Sequence, residues 1–325
     1  MLRNPAILFA LVLVPLALAS LMVGAAGLGT SALAADGWLV LTVSRLPRTL
    51  AVILTGAALS VAGVVMQQLV RNRFVEPGTT GTAEGAALGL LLVNASFPGA
   101  PIWSQMLAAS VAALASTWLF LRLVRRLPVR EVLLVPLVGM ILAGILQAVV
   151  TFIGWETDLL QFVSVWLMSG EFSGVISGRY ELLWVAGGAA ALAFVAADRF
   201  AILGLGTDRA TSLGLKPEAV MRLGLVVVAV VTAMVVATVG MVPFVGLVVP
   251  NITQRLMGDN LRRTLPATAL GGAALVLACD LIGRLVRYPY ELPVGSVLGV
   301  IGACLFLWLL WRRPAPSTPA VRRHG

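Results

Sequence analysis

Few side chains in this 325-residue sequence could carry out chemistry. The single histidine, His324, stands at the end of the chain, and the only lysine, Lys216, follows no glycine-rich turn. The phosphate-loop pattern G-x-x-x-x-G-K-S/T occurs nowhere. ATP binding by that loop, haem or metal ligation by histidine, and a Ser-His-Asp site are therefore excluded. Cys279 and Cys304 both fall inside apolar runs, which points to core packing rather than a disulfide framework. Among the acids, Asp36, Glu76, Glu131, Glu156, Asp158, Glu171, Asp198, Asp208, Asp259 and Glu291 lie near the ends of apolar runs. Only Glu84 and Asp280 lie within them. No catalytic residue, metal or cofactor is expected, and the chain lacks an energy source of its own.

The elements that position these residues belong to a bilayer. Hydrophobic residues make up 59% of the chain and charged residues only 11%, which is outside the range of water-soluble domains. A spanning helix needs about 20 mostly apolar residues. Runs of that kind lie at 6–27, 47–69, 80–96, 103–123, 131–153, 180–198, 219–239, 243–256, 267–284 and 294–312. Barrel strands are shorter and alternate in polarity, whereas these runs are continuous. The expected fold is an all-α integral membrane protein with about ten transmembrane helices. One transmembrane domain covers 1–313, and a disordered basic tail covers 314–325.

An even number of spans puts both termini on one side, and the positive-inside rule selects the cytoplasm. Of the 23 basic residues, only Arg45, Arg48, Arg179, Arg284 and Arg287 are then left outside. The bias accounts for much of the net charge of +9 through the membrane surface, with no nucleic acid required. A competing reading takes Arg3, the first apolar run and Ala32-Leu33-Ala34 as a signal peptide. Against it, the run is longer than a typical signal core of about 7–15 residues.

Between the sixth and seventh runs lies the glycine-rich, polar stretch Ile202 to Leu215. Thr207 suits an N-cap, Asp208 a first turn and Gly214 a position just past a helix end, so Asp208 to Leu213 reads as a short helix. It is either a plain connector or a docking helix, since a helix this short is marginal alone.

Several segments together resemble the permease subunits of bacterial ABC importers for ferric siderophores, haem and cobalamin. They are Arg45-Leu46-Pro47-Arg48, Arg71-Asn72-Arg73 through Glu76-Pro77-Gly78, Gly81 with Gly85, the L-G-x-x-x-A-x-x-L-G run of Leu205 to Gly214, Phe244 to Pro250, and Glu291 to Gly295. The resemblance covers nearly the whole chain. It implies ten spans per subunit, a second permease that is the same or a different chain, a cytoplasmic P-loop ATPase dimer, and a periplasmic or lipid-anchored siderophore-binding protein. It also implies that Gly204, Leu205, Gly206, Thr207, Asp208, Arg209, Ala210, Leu213 and Gly214 couple to the ATPase. Arg45, Arg48 and Arg284 would receive carboxylates of the binding protein, for which the planar arginine fork is suited. Lipid-headgroup contact is the alternative for these arginines.

Other positions are read from spacing. Gly78, Gly81, Gly85 and Gly89 recur three and four residues apart and form a small-residue stripe for close helix packing. Gly240, Pro243, Gly246 and Pro250 interrupt the seventh and eighth runs, and broken helices at membrane depth are tolerated where they line a cavity. Pro243, Gly246, Pro250 and Asn251 are thus candidates for the translocation path. Trp38, Trp103, Trp155 and Trp166 mark outer ends, and Trp118, Trp308 and Trp311 inner ones, as an interfacial belt requires. Thr157 to Met168 matches a short outer helix of the related permeases.

The expected substrate is a ferric siderophore, with haem or cobalamin as the alternative. Asn251 stands where many related permeases carry histidine. A rival class, an ion-coupled secondary transporter, would rely on Glu84 and Asp280.

Overall fold

Apolar runs of this length satisfy their backbones in lipid by closing hydrogen bonds within each segment. Each of the ten holds a helix in the computed structural model, which describes residues 5–23, 35–124, 126, 134–163, 170–176, 178, 180–288 and 290–311. The helices are α1 (Pro5–Met22), α2 (Ala35–Val40), α3 (Leu46–Val70), α4 (Thr82–Ser96), α5 (Ile102–Val124), α6 (Leu134–Glu156), α7 (Leu182–Val195), α8 (Ala197–Gly204), α9 (Thr207–Ser212), α10 (Pro217–Val239), α11 (Val245–Met257), α12 (Leu261–Leu285) and α13 (Val294–Trp311). A short π-helical stretch, Leu41–Arg45, joins α2 to α3. No strand occurs among the described residues. The tail 314–325, Ala32 to Ala34, Trp166 and the last residues of Thr157 to Met168 lie outside them.

Among the described residues, seven continuous helices, Trp38–Val70 included, are long and apolar enough to cross a bilayer. The sixth run differs from a plain span: α7 breaks at Ala196, and α8 leaves it at 65°. Two further runs make short helices. The 15 residues of α4 and the 13 of α11 reach only about 22 and 20 Å at 1.5 Å per residue, less than the roughly 30 Å hydrocarbon core. Non-helical chain precedes each of them.

The centre of the bundle is α3, which is buried on all sides and packs against α12, α7, α11 and α10. Glycines allow this crowding. A β-carbon on Gly56 would strike the Gly272 carbonyl of α12, and one on Gly63 would strike the Gly246 carbonyl of α11. Backbones in contact replace the hydrophobic drive that lipid does not supply. The run through Pro250 is also unlike the expectation, because α11 continues through that proline and the interruption is confined to Gly240–Phe244. Proline cannot donate to the carbonyl four residues earlier. That carbonyl, on Gly246, accepts Gln67 Nε2 of α3 at 3.4 Å instead.

Candidate functional site

At the end of the bundle where α3 stops, α8 and α9 project as a small folded unit. Phe200 and Leu203 of α8 and Ala210 of α9 are buried, and α8 packs on α3, α10 and α12. Gly206, in a left-handed conformation with φ +114°, is the N-cap, and Thr207 is the first helical residue, one position later than its sequence role as cap. The far end closes as a Schellman motif: Leu215 N–H donates to Ala210 O at 3.0 Å and Gly214 N–H to Thr211 O at 2.9 Å, with Gly214 at φ +80°. A β-carbon at Gly204 would strike Gln68 Oε1 of α3. One at Gly206 would come within 3.3 Å of Arg71 Nη1. The unit therefore lies close against the side chains at the end of α3. Among the described residues its outer surface is uncovered: Leu205 and Leu213 are 55% and 63% exposed, and Thr207, Asp208, Arg209 and Gly214 are exposed between them.

In the interior, the loop between α3 and α4 folds inward. Glu76 precedes a single 3₁₀ turn, Pro77–Thr79, and is buried. Its Oε1 accepts the backbone N–H of Phe244 at 2.9 Å, and the carboxylate faces the first N–H groups of α11. It thereby caps α11 from another part of the chain, where a helix N-terminus favours negative charge. Phe244 holds φ +65°, a region that non-glycine residues seldom enter. Beside this cap is a cavity of about 210 Å3 between α3, α4, α10 and the two loops. Pro243 and Gly246 line it, but Pro250 and Asn251 do not. Asn251 Nδ2 instead donates to Arg73 O at 2.8 Å and Leu247 O at 2.7 Å, joining α11 to the loop after α3.

The glycine stripe divides. Gly85 and Gly89 face α5, where β-carbons would meet Ser116 and Ala108. Gly81, at φ +79°, is the N-cap of α4 and faces Leu142 and Leu146 of α6. Gly78 lies in the 3₁₀ turn and not on the α4 face, because the helix begins only at Thr82.

At the opposite end, the arginines expected to face outward are largely turned inward. Arg48 donates to Asp280 Oδ1 at 2.9 Å and Glu291 Oε2 at 2.7 Å. The Arg284 side chain, 4% exposed, pairs with Asp280 Oδ2 and donates to the carbonyls of Ser20 at 3.1 Å and Val23 at 3.0 Å. Asp280 is fully buried between the two guanidinium groups. Burying a charge requires such pairing, and α1 ends on carbonyls that a cation satisfies. Arg48 and Arg284, expected to receive carboxylates of a binding protein, are thus both engaged by carboxylates of this chain. Arg45 is half-buried and donates to Leu21 O at 3.1 Å. A second cavity, about 560 Å3, opens between the ends of α4 and α10 and is lined by Asn94, Gln105, Glu171, Ser173 and Thr238 among others.

Sequence reasoning missed the cap formed by Glu76 and the internal use of Asp280. The segment Glu76-Pro77-Gly78 carried part of the family resemblance, but its acid was read as a span-end charge. Nothing local in the sequence shows that it reaches a helix more than 160 residues away.

Comparison with known proteins adds to this geometry. A family model described as the FecCD transport family matches residues 7–312. A petrobactin import system permease protein of Bacillus subtilis is 41% identical over 85% of this chain and 87% of its own length. A ferric-anguibactin transport system permease protein of Vibrio anguillarum is 38% identical over 84% and 87%. A vitamin B12 import system permease protein of Klebsiella pneumoniae is 34% identical over 86% and 85%. Among solved structures, an inward-facing conformation described as a metal-chelate type ABC transporter aligns with a TM-score of 0.79 at 26% identity. It covers 95% of this chain and 99% of that one.

Proposed function

The chain belongs to the FecCD transport family, and from that membership we propose that it is the permease of an ATP-driven importer carrying a ferric siderophore inward across the bacterial cytoplasmic membrane. The observation that carries the coupling role is the α8–α9 unit: a glycine-fitted projection whose leucines and charged residues face outward from the bundle. With no phosphate loop in this chain, the energy comes from a separate P-loop ATPase pair that seats Leu205 to Gly214. A rigid-body shift of α8 and α9 then passes through α3, α10 and α12.

The α9 end is cytoplasmic in this reading, as are both termini. The opposite end receives a siderophore-binding protein, with Arg45 and Arg48 at its rim and Arg284 holding Asp280 behind them. A second permease, the same or a different chain, completes the passage. The siderophore assignment rests on the petrobactin and anguibactin relatives, at 41% and 38% identity. The vitamin B12 relative, at 34%, keeps a corrinoid as the second reading. Mass spectrometry of partners that copurify with the gently solubilised, tagged chain tests the assembly. An ATPase and a binding protein are expected, and a chain that purifies alone under conditions preserving such complexes contradicts it.

A further inference from the structure

Two carboxylates, Glu76 and Glu84, line the 210 Å3 cavity, and no basic residue lines it among the described residues. They are not equivalent. Glu76 is answered by the Phe244 N–H at the start of α11. Glu84 stands in the first turn of α4, and its Oε2 is buried without a hydrogen-bond partner. Across the cavity, Thr232 of α10 is 2% exposed, and its Oγ1 also lacks a partner. An acceptor and a hydroxyl left unmatched around one cavity are what a cation or a group bearing several N–H donors would satisfy. Among the described residues only one buried carboxylate oxygen at the cavity lacks a donor, which suits a singly charged ligand. No cluster of three or more His, Cys, Asp or Glu residues that could hold a divalent metal is found among the described residues. At about 30 Å3 per water, the volume accommodates an ion that keeps part of its hydration shell.

We propose that this cavity binds one small monovalent cation between Glu84 Oε2 and Thr232 Oγ1. Bound there, the ion links the start of α4 to α10 across the cavity beside the α11 cap. The site stands apart from the choice of transported complex, so it can be tested without transport.

The test uses the full chain with its copurifying partners in lipid nanodiscs, in buffers whose only other cation is a bulky quaternary ammonium. Sodium, potassium and methylammonium are titrated separately and followed by calorimetry. One saturable site per chain is expected, weakened on the order of tenfold or more by Glu84→Gln and also weakened by Thr232→Val, a near-isosteric change that preserves packing if the Glu84 variant misfolds. Saturation by sodium or potassium assigns a metal ion, and saturation by methylammonium alone assigns an ammonium group. Absence of saturation by all three overturns the proposal, as does binding that both variants leave intact. An infrared band of a neutral carboxylic acid, lost in Glu84→Gln and unchanged by added cation, also overturns it.

Discussion

Glu76 Oε1 accepts the backbone N–H of Phe244 at 2.9 Å, which ties the loop before α4 to the start of α11. Both of these helices are too short to cross the bilayer, and one carboxylate ties their starts together. Truncating it leaves the Phe244 N–H unsatisfied at a cost of about 1–3 kcal/mol. Glu76→Ala should lower the thermal midpoint of the detergent-solubilised protein clearly, and Glu76→Gln, which keeps one acceptor oxygen, should lower it less. Equal midpoints for all three proteins would show that the cap contributes nothing.

The meeting of α3 with α11 permits no side chain. Gly63→Val should abolish folded expression, since the added carbons fall on the Gly246 backbone rather than on a flexible side chain. Gly144→Ala on α6, where a β-carbon meets nothing within 4 Å, should be neutral. Size-exclusion profiles of the two variants distinguish these outcomes.

Asp280 carries two arginines. Removing one partner of a buried pair costs about 3–5 kcal/mol, so Asp280→Ala should destabilise the bundle strongly. Glu291→Gln, whose side chain is 22% exposed, should do so only weakly. Arg48→Glu combined with Arg284→Glu should likewise fail in folding before any docking defect can be read. If the doubly substituted protein kept its thermal midpoint, the inward network would not matter in solution.

Gly214 separates backbone geometry from surface bulk. At φ +80° a non-glycine residue pays roughly 1–2 kcal/mol, yet the space around it is open. Gly214→Asn, which tolerates that conformation, should retain substrate uptake. Gly214→Trp should fold and express but lose uptake, because its added bulk points only toward a partner. Full uptake by the tryptophan variant would remove the coupling role from this turn.

The ten apolar runs were legible because each helix must close its own hydrogen bonds, so length and hydropathy are enough to find them. The island before α10 was legible too, since Gly214 and its neighbours write a helix stop in local chemistry. The cap by Glu76 and the burial of Arg284 were not, because each is decided by a partner far away in sequence. Gly78 was misplaced on the α4 face because three- and four-residue spacing continues past the point where the helix starts. Pro250 read as a break for a similar reason: only the tertiary contact with Gln67 shows how the freed carbonyl is satisfied.

The central claim is that α9 seats in a separate ATPase. It is tested most directly by placing a single reactive thiol at Ser212, exposed on α9, in a chain whose Cys279 and Cys304 are replaced by alanine, and cross-linking in native membranes. The account predicts one dominant adduct, with a P-loop ATPase, whose yield changes when nucleotide is added. If the thiol captured no ATPase while one at an exposed site elsewhere on the same end did, α9 would be a connector and the account would fail.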